Sequence, residues 1–277
     1  VQGSTANTID TDGEYTGNYN STGDDENALR VDGATVVLTD ITVDKSAGAT
    51  SNTENGDFYG VNAGLLATNG ADVTITGAAV NTSAQNGNGV FSYGSGTVVN
   101  ISDSEITTTA GNSSAAIRSD RGGGIVNVNK GSYTSNGYNS PAVYSTADIT
   151  IENADLTATN SEALVIEGKN SINLYNCTVS GNMSDDKGSC SAENVHNVMI
   201  YQSMSGDAEV GTAEFSMADG KMICNNGDIF YFTNTSAIAT LRNVEIENHE
   251  TDACLMRIVF NSEARSLGKA GSNGAQV

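Results

Sequence analysis

One short phrase recurs along this chain and limits what it can fold into. It runs apolar, any, apolar, any, then Asn, Asp or Gly, a small residue, any, apolar. It reads VVLTDITV (36–43), VTITGAAV (73–80), VNISDSEI (99–106), VNVNKGSY (126–133), ITIENADL (149–156), INLYNCTV (172–179) and ATLRNVEI (239–246), with a weaker copy near 213–222. Taking the third residue of each as a marker gives Leu38, Ile75, Ile101, Val128, Ile151, Leu174, about Phe215, and Leu241. The spacings are 37, 26, 27, 23, 23, 41 and 26. Most match one turn of a solenoid, and the two long ones require loop excursions. Alternation with period two marks strands, and no segment shows a convincing amphipathic helix of more than ten residues.

A second short strand precedes each phrase: ALRV at Ala28, GLLA at Gly64, GVFS at Gly89, AAIR at Ala115, AVYS at Ala142, ALVI at Ala163, NVMI at Asn197 and DIFYF at Asp228. Asn, Asp and Gly tolerate left-handed backbone, so they suit the bends between these strands. Strands of this kind stack coil on coil in parallel, burying columns of Val, Ile and Leu. The position after the bend (Ile41, Ala78, Ser104, Gly131, Ala154, Cys177, Val244) points inward too. The reading is therefore all-β: a right-handed parallel β-helix (β-solenoid) of about eight to nine coils over 27–277, with an irregular N-terminal cap over 1–26. A β-sandwich also spaces short strands regularly, but it does not need one phrase eight times. The chain reads as a fragment, truncated at its C-terminal end.

Charge narrows the partners. Twelve Lys and Arg against 33 Asp and Glu give a net charge of -21, which excludes nucleic acid as an expected partner and repels anionic membranes. No apolar run approaches 18 residues, so no membrane insertion is expected. The four cysteines, Cys177, Cys190, Cys224 and Cys254, form no CxxC pair and lie at no zinc-site spacing from His196 or His249. Their disulfide state is open, with Cys177 leaning to a stacked core thiol. The richness in Asn, Thr, Ser and Gly fits a secreted or cell-surface protein.

The runs HNVMIYQSMSGDAEVGTAEFSM (196–217) and IFYFTNTSAIATLRNVEI (229–246) resemble the pectate-lyase-like right-handed β-helix modules of secreted adhesin-like surface proteins from Gram-positive gut bacteria. The resemblance covers about 27–277 and rests on scaffold motifs. It implies secreted or surface display, with no catalytic residue carried over.

Alternation places Arg30, Leu66, Phe91, Arg118, Tyr144, Val165, Met199 and Tyr231 outward at the centres of successive first strands. Parallel stacking would align them about 4.8 Å apart. Leu66, Phe91, Tyr144, Val165 and Tyr231 are the candidate binding stripe, with tyrosine rings able to stack on sugars. The alternative is that the N-terminal segment or an insertion after Val43 or Val179 covers the stripe. Near the N-terminus Asp10, Asp12, Asp24 and Asp25 offer hard oxygen ligands for Ca²⁺, without the full calcium-loop spacing. His196 and His249 read as polar residues at strand edges, and Gly122-Gly123-Gly124 as a coil bend.

The expected function is a non-enzymatic, adhesin-like module that binds a glycan or a surface protein, or a rigid display scaffold. It would be a monomer, with end-to-end association open to it. The alternative is a carbohydrate-active enzyme, a lyase or glycoside hydrolase, using loop acids such as Asp185 and Asp186.

Overall fold

The computed structural model describes residues 2–186, 195–203, 208–259 and 274–276. They form a parallel β-helix built from a ten-stranded sheet and a thirteen-stranded sheet, with a two-stranded parallel pair, Ser4–Thr5 and Glu26–Asn27, at the N-terminal end. In the ten-stranded sheet each strand pairs with the corresponding strand of the next coil. The order runs from Thr8–Ile9 through Leu29–Asp32, Leu65–Thr68 and Val90–Tyr93 to Asp228–Thr233 and Met256–Val259. The recurring phrases form the other sheet, and in the middle coils each is a single long strand: Val98–Thr108, Ile125–Ser135, Asp148–Ala158 and Ser171–Gly181.

Each of these long strands bends at one left-handed residue, the Asn, Asp or Gly position of the phrase. Asp103, Lys130, Asn153 and Asn176 have φ of 50°, 65°, 54° and 53°. L-residues pay for that conformation, and Asn recovers part of the cost through its side chain. Asn176 donates to the Asn153 side chain at 2.9 Å, and Asn243 to Asp219 at 2.8 Å. At the other bend Gly124 (φ 69°) passes so close to the Thr97 carbonyl that a Cβ would run into it.

The bend lets both halves of a phrase face one core. Val36, Val73, Val99, Val126, Ile149, Ile172 and Phe215 are successive partners across coils, each at most 1% exposed. Burying such a side chain contributes about 1.5–3 kcal/mol. Cys177 sits in the same core, its Sγ 3.3 Å from the Ile151 carbonyl. Cys177, Cys224 and Cys254 are free thiols; Cys190 lies outside the described residues.

Two placements differ from the sequence reading. Leu174 pairs with Met217, so the weak copy is shifted by two residues from the Phe215 marker. A shift of two keeps the same face inward, which is why the alternation alone did not reveal it. Residues 1–26, expected as an irregular cap, carry strands that pair into the stack. Thr8–Ile9 joins the ten-stranded sheet, and Gly13–Tyr15 and Asn18–Ser21 pair with Thr35–Thr39 and Thr42–Lys45. Tyr15 and Tyr19 pack against the core where later coils use Val, Ile or Leu. The larger, polar-tipped side chains hid the phrase.

Candidate functional site

The outward register holds in the ten-stranded sheet. Arg30, Leu66, Phe91, Arg118, Tyr144, Val165, Met199 and Tyr231 are consecutive partners, coil by coil. The expectation of an exposed stripe does not hold. Leu66 and Phe91 are 1% and 0% exposed, and Val165 and Tyr231 are 2% and 0%.

The insertion after Val43 provides the cover at Leu66 and Phe91. It contains a short helix, α1 (Thr53–Tyr59), capped by the Asn52 side chain, which accepts from the Glu54 amide, and ended by left-handed Gly60. A Cβ at Gly60 would lie 2.8 Å from Leu66 and 2.9 Å from Phe91, so the helix end rests directly on those two side chains. Arg121 clamps the helix, its guanidinium 4.8 Å over the Phe58 ring and 5.3 Å over Tyr59. Further along, Val165, Met199, Tyr201 and Tyr231 form a small apolar cluster of their own, with Tyr144 packed against it.

Beside α1, over Arg118, Tyr144 and this cluster, lies a cavity of about 270 Å³. Val165 and Met199 supply apolar lining, and Arg118, Tyr144, Glu167 and Tyr201 line it with polar groups. Tyr144 donates to Glu167 Oε2 at 2.5 Å, and its hydroxyl also meets that of Tyr201. Tyr201 reaches the same carboxylate oxygen at 3.4 Å, while Ser203 donates to Oε1. Glu167 is therefore an acceptor on which three hydroxyls converge, although the side chain is only 1% exposed.

Arg118 links this network to α1. Its guanidinium stacks 3.9 Å from the Tyr144 ring centre, and its Nε donates to the Asp57 carbonyl at 3.1 Å. Burial works to lower its pKa, but the charges of Asp57 and Asp120 prevail and the net shift is upward. The Tyr144 phenol is raised well above its usual value, first by burial and then by the Glu167 and Tyr201 charges. At neutral pH the site thus holds the Arg118 cation and the neutral Tyr144 phenol beside a partly apolar hollow.

His196 was expected at a strand edge as a loop polar group. It is fully buried in His196–Tyr201, 2.8 Å from Glu162, with its ring stacked on Tyr231 at 5.2 Å between centres. Glu162 also lines the cavity. This pair, 34 residues apart, had no signal in the sequence beyond the residue types. His249 is exposed beside Glu247, as expected of a loop-edge residue.

The N-terminal acids do not form a cation cage. Asp12 accepts from the Thr35 amide, Asp24 from Ala49 and Asp25 from Ser51, and Asp10 takes the Thr11 hydroxyl. The Asp12, Asp24 and Asp25 carboxylates anchor backbone of the next coil, and among the described residues no three His, Cys, Asp or Glu side chains come together in a metal-holding group. Asp185 and Asp186 are exposed on a turn, bonded to Asn226 and Ser184, and belong to neither wall of the cavity. No described helix is long and apolar enough to cross a membrane.

The fold and this hollow define a parallel β-helix with a small, polar-walled site on one sheet face. No family model, curated protein or solved structure matches the chain.

Proposed function

We propose that this β-helix is a secreted or surface-displayed, adhesin-like module that binds a glycan in the cavity over its ten-stranded sheet. The observation that carries the reading is the cavity wall of Tyr144, Glu167, Tyr201 and Ser203 beside apolar Val165 and Met199. A sugar ring offers the same pairing, hydroxyls at its rim and a C–H face, and tyrosine faces suit the latter. About 270 Å³ falls at the small end of ligand pockets, which suits a single ring better than a buried chain. The richness in Asn, Thr, Ser and Gly and the resemblance of residues 196–217 and 229–246 to surface-displayed β-helix modules support the extracellular setting.

A glycan array followed by titration calorimetry tests this. Specific binding that weakens about tenfold in Tyr144→Phe, with near-UV circular dichroism showing the fold intact, is the expected result. Silence across the array would reject it in favour of a display scaffold.

A second reading, a carbohydrate-active enzyme, is favoured by one observation: Glu162 and Glu167 line the same cavity. Glycoside hydrolysis needs two carboxyl groups on either side of the scissile bond. An enzyme would release new reducing ends from the bound glycan and lose that activity in Glu167→Gln. A binder leaves the glycan intact.

A further inference from the structure

A second hollow, of about 470 Å³, adjoins the sheet-face cavity along α1, and Asp57 and Ser113 line both. Its floor comes from turns that close successive coils. Gln85 stands on one turn, Asn112 and Ser113 on the next, and Asn139, which lines the first cavity, on the third. The first two turns are joined on either side, by the Thr109 amide to the Thr82 carbonyl and the Gly89 amide to the Ala115 carbonyl. The next two are joined directly, Asn112 to the Tyr138 carbonyl and Ser113 to that of Asn139. Strands downstream keep the same order, Val90 beside Ile117 beside Val143. Parallel coils repeat about every 4.8 Å, so the two hollows follow one another along the stack axis, with α1 as a shared wall.

The two hollows differ in chemistry. Val165 and Met199 give the first an apolar floor, whereas no apolar side chain lines the second. The second offers polar groups at its surface instead: Thr53, Gln85 and Asn112 are exposed and Ser113 is half-buried. Gln85 Oε1 accepts from the Thr50 amide at 3.4 Å, and Asn112 Oδ1 from Asn139 at 3.4 Å. Each amide nitrogen is then without a partner among the described residues, as are the Thr53 and Ser113 hydroxyls. Asp57 is already engaged, its carboxylate by the Asn86 amide and its carbonyl by Arg118. The open groups are thus uncharged amides and hydroxyls, which match the hydroxyl and ring oxygens of a neutral sugar.

We propose that the two hollows form one groove and that the glycan is a neutral chain lying along the stack. One ring sits in the sheet-face cavity, and the next sugar lies in the second hollow against Thr53, Gln85, Asn112 and Ser113. The inference rests on the glycan reading above and extends it from a single ring to an oligosaccharide. Each further hydrogen bond contributes modestly, so affinity grows with chain length.

Calorimetry, with saturation-transfer NMR for the weaker ligands, tests it on neutral series of β-1,4-glucose, β-1,4-mannose and β-1,3-glucose, and of any other sugar the array retains. Each series is measured as the methyl glycoside of one sugar and as the tetrasaccharide. In a series that binds, the tetrasaccharide should bind about tenfold more tightly than the single sugar. Gln85→Ala combined with Asn112→Gly, the latter suited to the φ of 55° at that position, should bring this ratio to within about twofold. Both side chains lie at the surface, and near-UV circular dichroism confirms the fold of the double variant. Equal affinity for the single sugar and the tetrasaccharide would overturn the groove while leaving the glycan reading intact. So would a length dependence that survives the double variant, or retention of acidic glycans alone. Binding of no series, with silence across the array, would overturn both.

Discussion

Arg118 and Tyr144 are register partners on adjacent strands, and the guanidinium lies 3.9 Å from the centre of the phenol ring. The same guanidinium bonds the Asp57 carbonyl of α1, so one side chain joins the sheet face, the cavity wall and the cover. It also lies 3.8 Å from Asp120, which is fully buried.

Arg118→Met should therefore destabilise the protein by about 2 kcal/mol, because buried Asp120 loses one of its two guanidinium neighbours, keeping Arg121, and α1 loses the bond to the Asp57 carbonyl. Urea unfolding measures the loss. Limited proteolysis should show earlier cleavage within Thr53–Tyr59, since the helix loses one of its ties. Unchanged stability together with unchanged protection of α1 would contradict the role assigned to this side chain.

Alkaline pH should weaken the fold through its buried phenols. Tyr144 and Tyr133 both have pKa values raised above the ordinary 10.0, burial being the largest cause in each. Between that value and the raised one the folded chain keeps protons that the unfolded chain releases. Stability is thus fully present below about pH 10 and falls as pH rises beyond it. Tyr133→Phe should cost about 1 kcal/mol at neutral pH, for the lost bond to the Lys130 carbonyl, and should make the alkaline decline shallower. Denaturant titrations at a series of pH values would read both effects.

Thiol reactivity should sort by burial. Cys254 is exposed, while Cys177 and Cys224 are buried. Burial pushes both buried thiols up, Cys224 to about 11, so their thiolate fraction at neutral pH is small. A chromogenic disulfide reagent should label Cys254 in the native protein and reach Cys177 and Cys224 only after unfolding, as peptide mapping would show. Rapid native labelling of Cys177 would place it outside the core.

The left-handed bends should respond to residue type rather than to burial. Asn176→Ala removes the bond to Asn153 while keeping a Cβ at φ 53°, and should cost about 1–2 kcal/mol. Asn176→Gly loses the same bond but relieves the backbone, so it should cost clearly less. Equal losses in the two variants, read from chemical denaturation, would argue against the backbone explanation.

The β-helix was legible because its phrase is local. Val99 and Ile101 show their common face by alternation, and Asp103 marks the bend that brings Ile106 onto the same core. The outward register from Arg30 to Tyr231 was legible for the same reason. Its exposure was not, because nothing local in residues 46–62 says that a seven-residue helix will fold back onto Leu66 and Phe91. The Asp24 and Asp25 carboxylates likewise read as free ligands until the amides of Ala49 and Ser51 came within reach.

What the sequence determined by itself is the repeat: strands of period two, a bend that tolerates left-handed backbone, and a column of Val, Ile and Leu that can be buried only by stacking. These depend on neighbours within about eight positions along the chain, where sterics and side-chain alternation decide the outcome. Tertiary structure alone decided the site. Arg118 meets Asp57 across 61 positions, Tyr144 meets Tyr201 across 57 and His196 meets Glu162 across 34. Such meetings depend on how long each excursion is and where it lands on the stack, and no periodicity records that.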